Sequence, residues 1–154
     1  MNPKFLRQAI EQAAENVRHG GGPFAALVAK DGAVIAAGTN RVTAANDPTA
    51  HAEIVAIREA CRALGAFQLT GCDVYCSCEP CPMCLGALFW ARPARIFFAA
   101  TAEEAAAAGF DDSFIYSQLA LSPAGRAIPM IRAEEQSASR PFEEWAARTD
   151  KVRY

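Results

Sequence analysis

His51 opens the stretch "HAEIVAIREACRAL", with Glu53 two residues on, and "PCPMC" later places Cys81 and Cys84 three apart. Imidazole and thiolate are the ligands zinc favours, and a catalytic zinc site keeps three protein ligands with water in the fourth position. His51, Cys81 and Cys84 make such a set. Bound zinc brings the pKa of its water from about 15.7 to about 7. A carboxylate held near that water but off the metal, as Glu53 would be, takes the proton and hands it on. The alternative is a closed structural site in which Cys78 supplies a fourth ligand, making the chain a zinc-stabilised interaction module. That site has no use for Glu53, and it needs Cys78 to reach the ion from the strand side of Pro80.

Convergence of these groups places demands on the elements that carry them. A helix starting near Pro80 puts Cys81 and Cys84 on one face of its first turn. Ile54, Ile57, Cys61 and Leu64 mark the buried face of a second helix that ends at Gly65, with His51 at its N-terminus. Residues two apart on a regular helix point in nearly opposite directions, so His51 must lie at the cap for its ring and the Glu53 carboxylate to converge. Both ligand groups then sit at helix N-termini, where free N–H groups and the dipole favour thiolate and other negative charge.

The remaining elements follow from pattern. Asn2 and Pro3 read as cap and first turn of a helix whose face is Leu6, Ala9, Ile10, Ala13 and Val17. "PFAALVAK" and "AVIAAGTN" flank Asp31-Gly32 and predict an antiparallel hairpin. "TAANDPTA" reads as a loop, "CDVYCSC" as a short strand, "PCPMCLGALFWA" as a helix buried all round, and "ARIFFAA" as a buried strand. Thr101 and Glu104 have capping-box spacing. "AIPMIRA" is a weak strand candidate, "EEQSAS" a connector, and "PFEEWAARTD" a terminal helix. Cys61, Cys72 and Cys76 are read as packing residues, as is Cys78 where it is not a ligand. His19 is placed at the carbonyls ending the first helix, and Phe89 with Trp90 in the core.

The 154 residues suit one domain, 1–154, with 52% hydrophobic and 21% charged residues. A hairpin followed by alternating strands and helices predicts an α/β domain with a mixed sheet covered on both faces. A net charge of −2 gives no electrostatic reason to expect a nucleic-acid partner. Arg140, Arg148, Lys151 and Arg153 are interrupted by Glu143, Glu144 and Asp150, as on a solvated helix face. The first segment has the charge pattern of neither a signal peptide nor a membrane span, so no membrane partner and a cytoplasmic location are expected. Six cysteines, mostly crowded into one stretch, then favour metal or thiol chemistry over disulfides.

His-x-Glu followed by Pro-Cys-x-x-Cys is the signature of zinc-dependent nucleobase deaminases, and "HAE" with "PCPMC" matches it. Together with "GGPFAALVAKDG", "NDPTAHAEI", "SCEPCPMCLGALFWARP", "GFDDSFIY" and the final Tyr154, the chain resembles the bacterial guanine deaminases of the cytidine deaminase superfamily nearly end to end. The resemblance implies a three-layer α/β/α cytidine deaminase-like fold with a five-stranded mixed sheet and one Zn2+ per subunit. It also implies a homodimer in which the C-terminal segment, 137–154 here, is exchanged between subunits. Carried over by position, Asn40 and the backbone at Ala52 would contact a small purine base, Phe24 would pack near it, and Asp112 with Tyr154 would complete the pocket. The implied activity is hydrolysis of guanine to xanthine and ammonia, with Glu53 as the catalytic proton carrier. Guanosine, cytosine or cytidine, and tRNA adenosine are the alternative substrates.

Overall fold

The computed structural model describes residues 1–153. The chain packs as two compact units, the first Met1–Asp112 and the second beginning at Ser113. In the first unit, α1 (Pro3–Arg18) starts where the Asn2 side chain accepts from the Lys4 N–H, with Pro3 inside the first turn. Strands β1 (Ala25–Lys30) and β2 (Ala33–Thr39) pair antiparallel and turn at Asp31-Gly32. Both turn residues have positive φ, 50° and 80°, the conformation a two-residue hairpin needs. The polar stretch after β2 holds one short helix, α2 (Val42–Ala45), where the sequence predicts only a loop.

Helix α3 (Ala52–Leu64) ends on Gly65 at φ 60°, and β3 (Asp73–Cys78), α4 (Pro82–Ala91) and β4 (Arg95–Ala100) follow. β3 is antiparallel to β1 and parallel to β4. The Thr101–Glu104 capping box then starts α5 (Ala102–Ala107), with both reciprocal bonds formed. Among the described residues the sheet has four strands in the order β2-β1-β3-β4, so the expected five-stranded sheet is corrected to a four-stranded mixed one. "AIPMIRA" forms no strand. Pro129 removes one ladder donor there, and Ile128 and Ile131 stand 82% and 86% exposed rather than packed on a neighbour.

The central strands carry apolar side chains on both faces. Ala26, Val28, Val74 and Cys76 pack with Ala52, Ala56 and Ala60 of α3 and Leu88 of α4, while Leu27, Ala29 and Tyr75 pack with Ala9, Phe5 and Leu6 of α1. This is the predicted three-layer arrangement. Gly38 lets β2 run close against α3: a Cβ there would lie 2.3 Å from the Ala52 carbonyl oxygen and 2.5 Å from the Ala56 nitrogen. Two expectations of burial do not hold. α4 leaves Phe89 and Trp90 71% and 65% exposed, because only its Cys84, Leu88 and Ala91 side faces the core. β4 is partly exposed, since β3 is its one strand neighbour among the described residues.

The second unit comprises α6 (Ser113–Leu119), a 3-10 turn at Pro123–Gly125 and α7 (Arg140–Ala147). Gln118 ties its first part together, accepting from Arg126 Nε at 3.1 Å and from the Ala127 N–H at 2.6 Å. None of its described residues is buried, and Phe142 is 75% exposed.

Candidate metal and active site

The site forms where two helices begin. His51 is the N-cap of α3 and Cys81 the N-cap of α4, both with extended backbone and neither using its side chain as a cap. Their side chains are therefore free to face one another. His51 Nδ1 lies 3.5 Å from Cys81 Sγ, and the ligand atoms of His51, Cys81 and Cys84 all lie within 4.8 Å of one another. Nitrogen at about 2.0–2.1 Å and sulfur at about 2.3 Å from a tetrahedral zinc stand about 3.5 Å apart. The donor set and its spacing fit zinc.

In the metal-free site electrostatics favour the ligand state at Cys81 alone. The Cys84 side chain hydrogen-bonds Cys81 and holds its thiol down at about 4, with help from His51. Cys84 is pushed far up by that same bond and by burial, so it favours the thiol, and metal binding would have to displace that proton. Cys81 raises the His51 pKa, the hydrogen bond outweighing burial.

Glu53 lies in the first turn of α3, only 6% exposed. Burial pushes its carboxyl above the usual value, against a hydrogen bond from its own backbone and one with Cys84. His51 at the cap meets the demand made above: the helix begins after it, so its ring escapes the helical geometry that would turn it away from Glu53. Asp112 is half-buried, and burial with the nearby Cys81 thiolate raises its carboxyl, whereas Asp111 is exposed.

Phe24 packs against the core cluster and meets Phe110 edge to face, with centroids 5.0 Å apart at 88°. Asn40 follows β2, and its N–H donates to the Phe24 carbonyl at 3.0 Å. Ala52 is fully buried at the start of α3. Tyr154 lies outside the described residues. Cys78 does not join the trio: its thiol hydrogen-bonds the Thr101 carbonyl at 3.6 Å. Cys72 and Cys76 are core residues, and His19 Nδ1 meets the Glu15 carbonyl at 2.9 Å, near the end of α1 as expected.

Three supporting residues escaped the sequence reading. Ser77 is buried and its hydroxyl accepts from the Ala25 N–H at 3.0 Å, joining β1 to the end of β3. Glu79 accepts from the Ala102 N–H at 3.2 Å. Asn16 donates to the Gly22 and Asn40 carbonyls. Their only local signal is a small polar or acidic residue beside an element's end.

Residues 1–100 match the family of the cytidine and deoxycytidylate deaminase zinc-binding region. The guanine deaminase of Bacillus subtilis is 52% identical over 151 residues, covering 97% of each chain. The crystal structure of the guanine deaminase from that organism has a TM-score of 0.98 at 52% identity, covering 100% of this chain and 99% of that one. The tRNA-specific adenosine deaminase of Aquifex aeolicus is 42% identical over 96 residues, which is 62% of this chain and 64% of that one. A structure solved in complex with 2,6-diaminopurine has a TM-score of 0.68 at 37% identity, covering 70% of this chain and 61% of that one. With that match over residues 1–100, and with a His-Cys-Cys trio spaced for zinc at two helix starts, the chain belongs to the zinc-dependent cytidine and deoxycytidylate deaminase family.

Proposed function

We propose that this chain hydrolyses guanine to xanthine and ammonia. The observation that carries the reading is the zinc-spaced trio of His51, Cys81 and Cys84 with buried Glu53 beside it, in a chain similar along nearly its whole length to a guanine deaminase. The similarity to the tRNA deaminase spans 96 residues rather than 151, and the net charge of −2 offers little to a polyanion.

His51, Cys81 and Cys84 would hold the zinc, which when bound would supply Lewis-acid activation of a water. Glu53 accepts a proton from that water and passes it to the ring nitrogen beside C2. It then takes the second proton of that water, from the hydroxyl now on C2, and hands it to the departing amine. The water oxygen becomes the new carbonyl, and ammonia leaves. Asn40, whose amide both donates and accepts, and the Asp112 carboxylate, which accepts, suit guanine's N1–H, exocyclic amine and carbonyl. Phe24 lines the base, the Ala52 backbone contacts it, and Tyr154 completes the pocket.

The chain acts as a single deaminase domain and as a homodimer exchanging residues 137–154. Exposed Phe89, Trp90, Ile128, Ile131 and Phe142 are apolar area that a partner subunit would cover. No helix of the described residues is long and apolar enough to cross a membrane, and a cytoplasmic location fits a free-base substrate.

Ammonia release by the zinc-loaded protein, with guanine, guanosine, cytosine, cytidine and an adenosine-containing tRNA hairpin side by side, tests the reading. Turnover of guanine alone is expected. Turnover of another substrate retains the zinc chemistry and discards the pocket assignment, and silence on all five with zinc bound restores the structural-zinc module.

A further inference from the structure

The β1–β2 hairpin is closed at one end by its turn. Its other end, where Phe24 enters and Asn40 leaves, is the end that would fray. One more ladder bond, from the Asn40 N–H to the Phe24 carbonyl, continues past the last strand pair. Beyond it, one carbonyl from each side is bridged from outside the hairpin: the Asn16 amide nitrogen donates to Gly22 O at 2.8 Å and to Asn40 O at 2.9 Å. The Asn16 backbone carbonyl also accepts from the Gly21 N–H at 2.8 Å. The fit is close, since a Cβ on Gly21 would fall 2.3 Å from Asn16 Nδ2 and one on Gly22 would fall 3.0 Å from Asn40 Cγ and Oδ1.

These contacts constrain Asn40 at every side. Its N–H is on Phe24, its carbonyl on Asn16, its side chain over Gly22, and its Oδ1 accepts from the Val42 N–H at 3.3 Å. With Oδ1 accepting from that N–H, Nδ2 is the donor the amide would offer a ligand. Guanine's O6 and N7 are acceptors of that kind.

We infer that Asn16, on α1 and outside the catalytic groups, is a positioning residue for base recognition: it clamps the open end of the hairpin and so aims the Asn40 amide. The inference rests on the proposed role of Asn40 at the purine. A clamp lost is a loss of pre-organisation, which weakens a contact made alike in ground and transition states and so raises KM while kcat holds.

The test is a double-mutant cycle on the zinc-loaded full chain, with kcat and KM for guanine measured for Asn16→Ala, Asn40→Ala and the pair. Asn16→Ala is expected to raise KM about tenfold, the scale of two neutral hydrogen bonds, with kcat within about twofold of wild type and zinc content unchanged. On the Asn40→Ala background the same substitution is expected to change kcat/KM by less than about twofold, because the group it aims is gone. Asn16→Ser keeps a small polar side chain but is too short to bridge the two carbonyls, and it takes the place of Asn16→Ala where that variant does not fold. Full additivity, or a fall in kcat with KM unchanged, overturns the inference. A wild-type protein inactive on guanine overturns instead the reading beneath it.

Discussion

Glu53→Gln replaces a carboxylate by an amide of nearly the same shape at a position only 6% exposed. The carboxylate is the acid–base group buried beside the trio, and the three zinc ligands are untouched. General acid–base catalysis contributes about 10²–10⁴-fold, or about 2.7–5.4 kcal/mol of barrier at about 1.36 kcal/mol per tenfold. The expected result is a folded chain with one zinc and kcat/KM for guanine lowered by about that factor, read by ammonia release with metal content measured on the same samples. The pH dependence adds a second signature. The working form is the carboxylate and burial raises its pKa above the usual 4.5, so the wild-type rate falls as pH drops through that raised value, and the residual rate of the variant lacks this limb. In metal-free protein the raised pKa means that the folded state favours the proton. Stability from Glu53 is then present below about 4.5 and lost as pH rises through the raised value. Metal-free Glu53→Gln escapes that loss and melts higher than metal-free wild type at pH 7. A rate within tenfold of wild type refutes the proton-carrier role.

The remaining expectations concern the rest of the site and its assembly. Cys78→Ala keeps its zinc and its turnover, because that thiol bonds Thr101 O rather than the trio; loss of metal restores the closed four-ligand shell. Gly38→Ala forces a Cβ into the α3 backbone and costs about 1–3 kcal/mol, seen as a lower melting temperature together with a lower rate; an unchanged protein refutes the close approach. Co-refolding Glu53→Gln chains with Tyr154→Ala chains regenerates one intact site per mixed dimer if residues 137–154 are exchanged, and activity no higher than the weighted sum of the two parents refutes the exchange.

Local rules made much of this protein legible in advance. His51 at a helix start, the Cys81–Cys84 spacing, the Asp31-Gly32 turn, the Gly65 stop and the Thr101–Glu104 box are each decided by residues within a few positions of one another. The alternation of strands and helices implied a mixed sheet covered on both faces, and resemblance in motif order carried the family. The tertiary structure decided what depends on neighbours distant in sequence. Phe89, Trp90 and β4 read as buried because apolar content says nothing about which face finds a partner, and "AIPMIRA" lacked a strand beside it to make one. The same limit hid Asn16, whose amide meets Asn40 across 24 positions. Capping and turn chemistry act along the chain, whereas burial and clamping act across it, so His51, Glu53, Cys81 and Cys84 could be named from sequence while their convergence and support could only be seen in three dimensions.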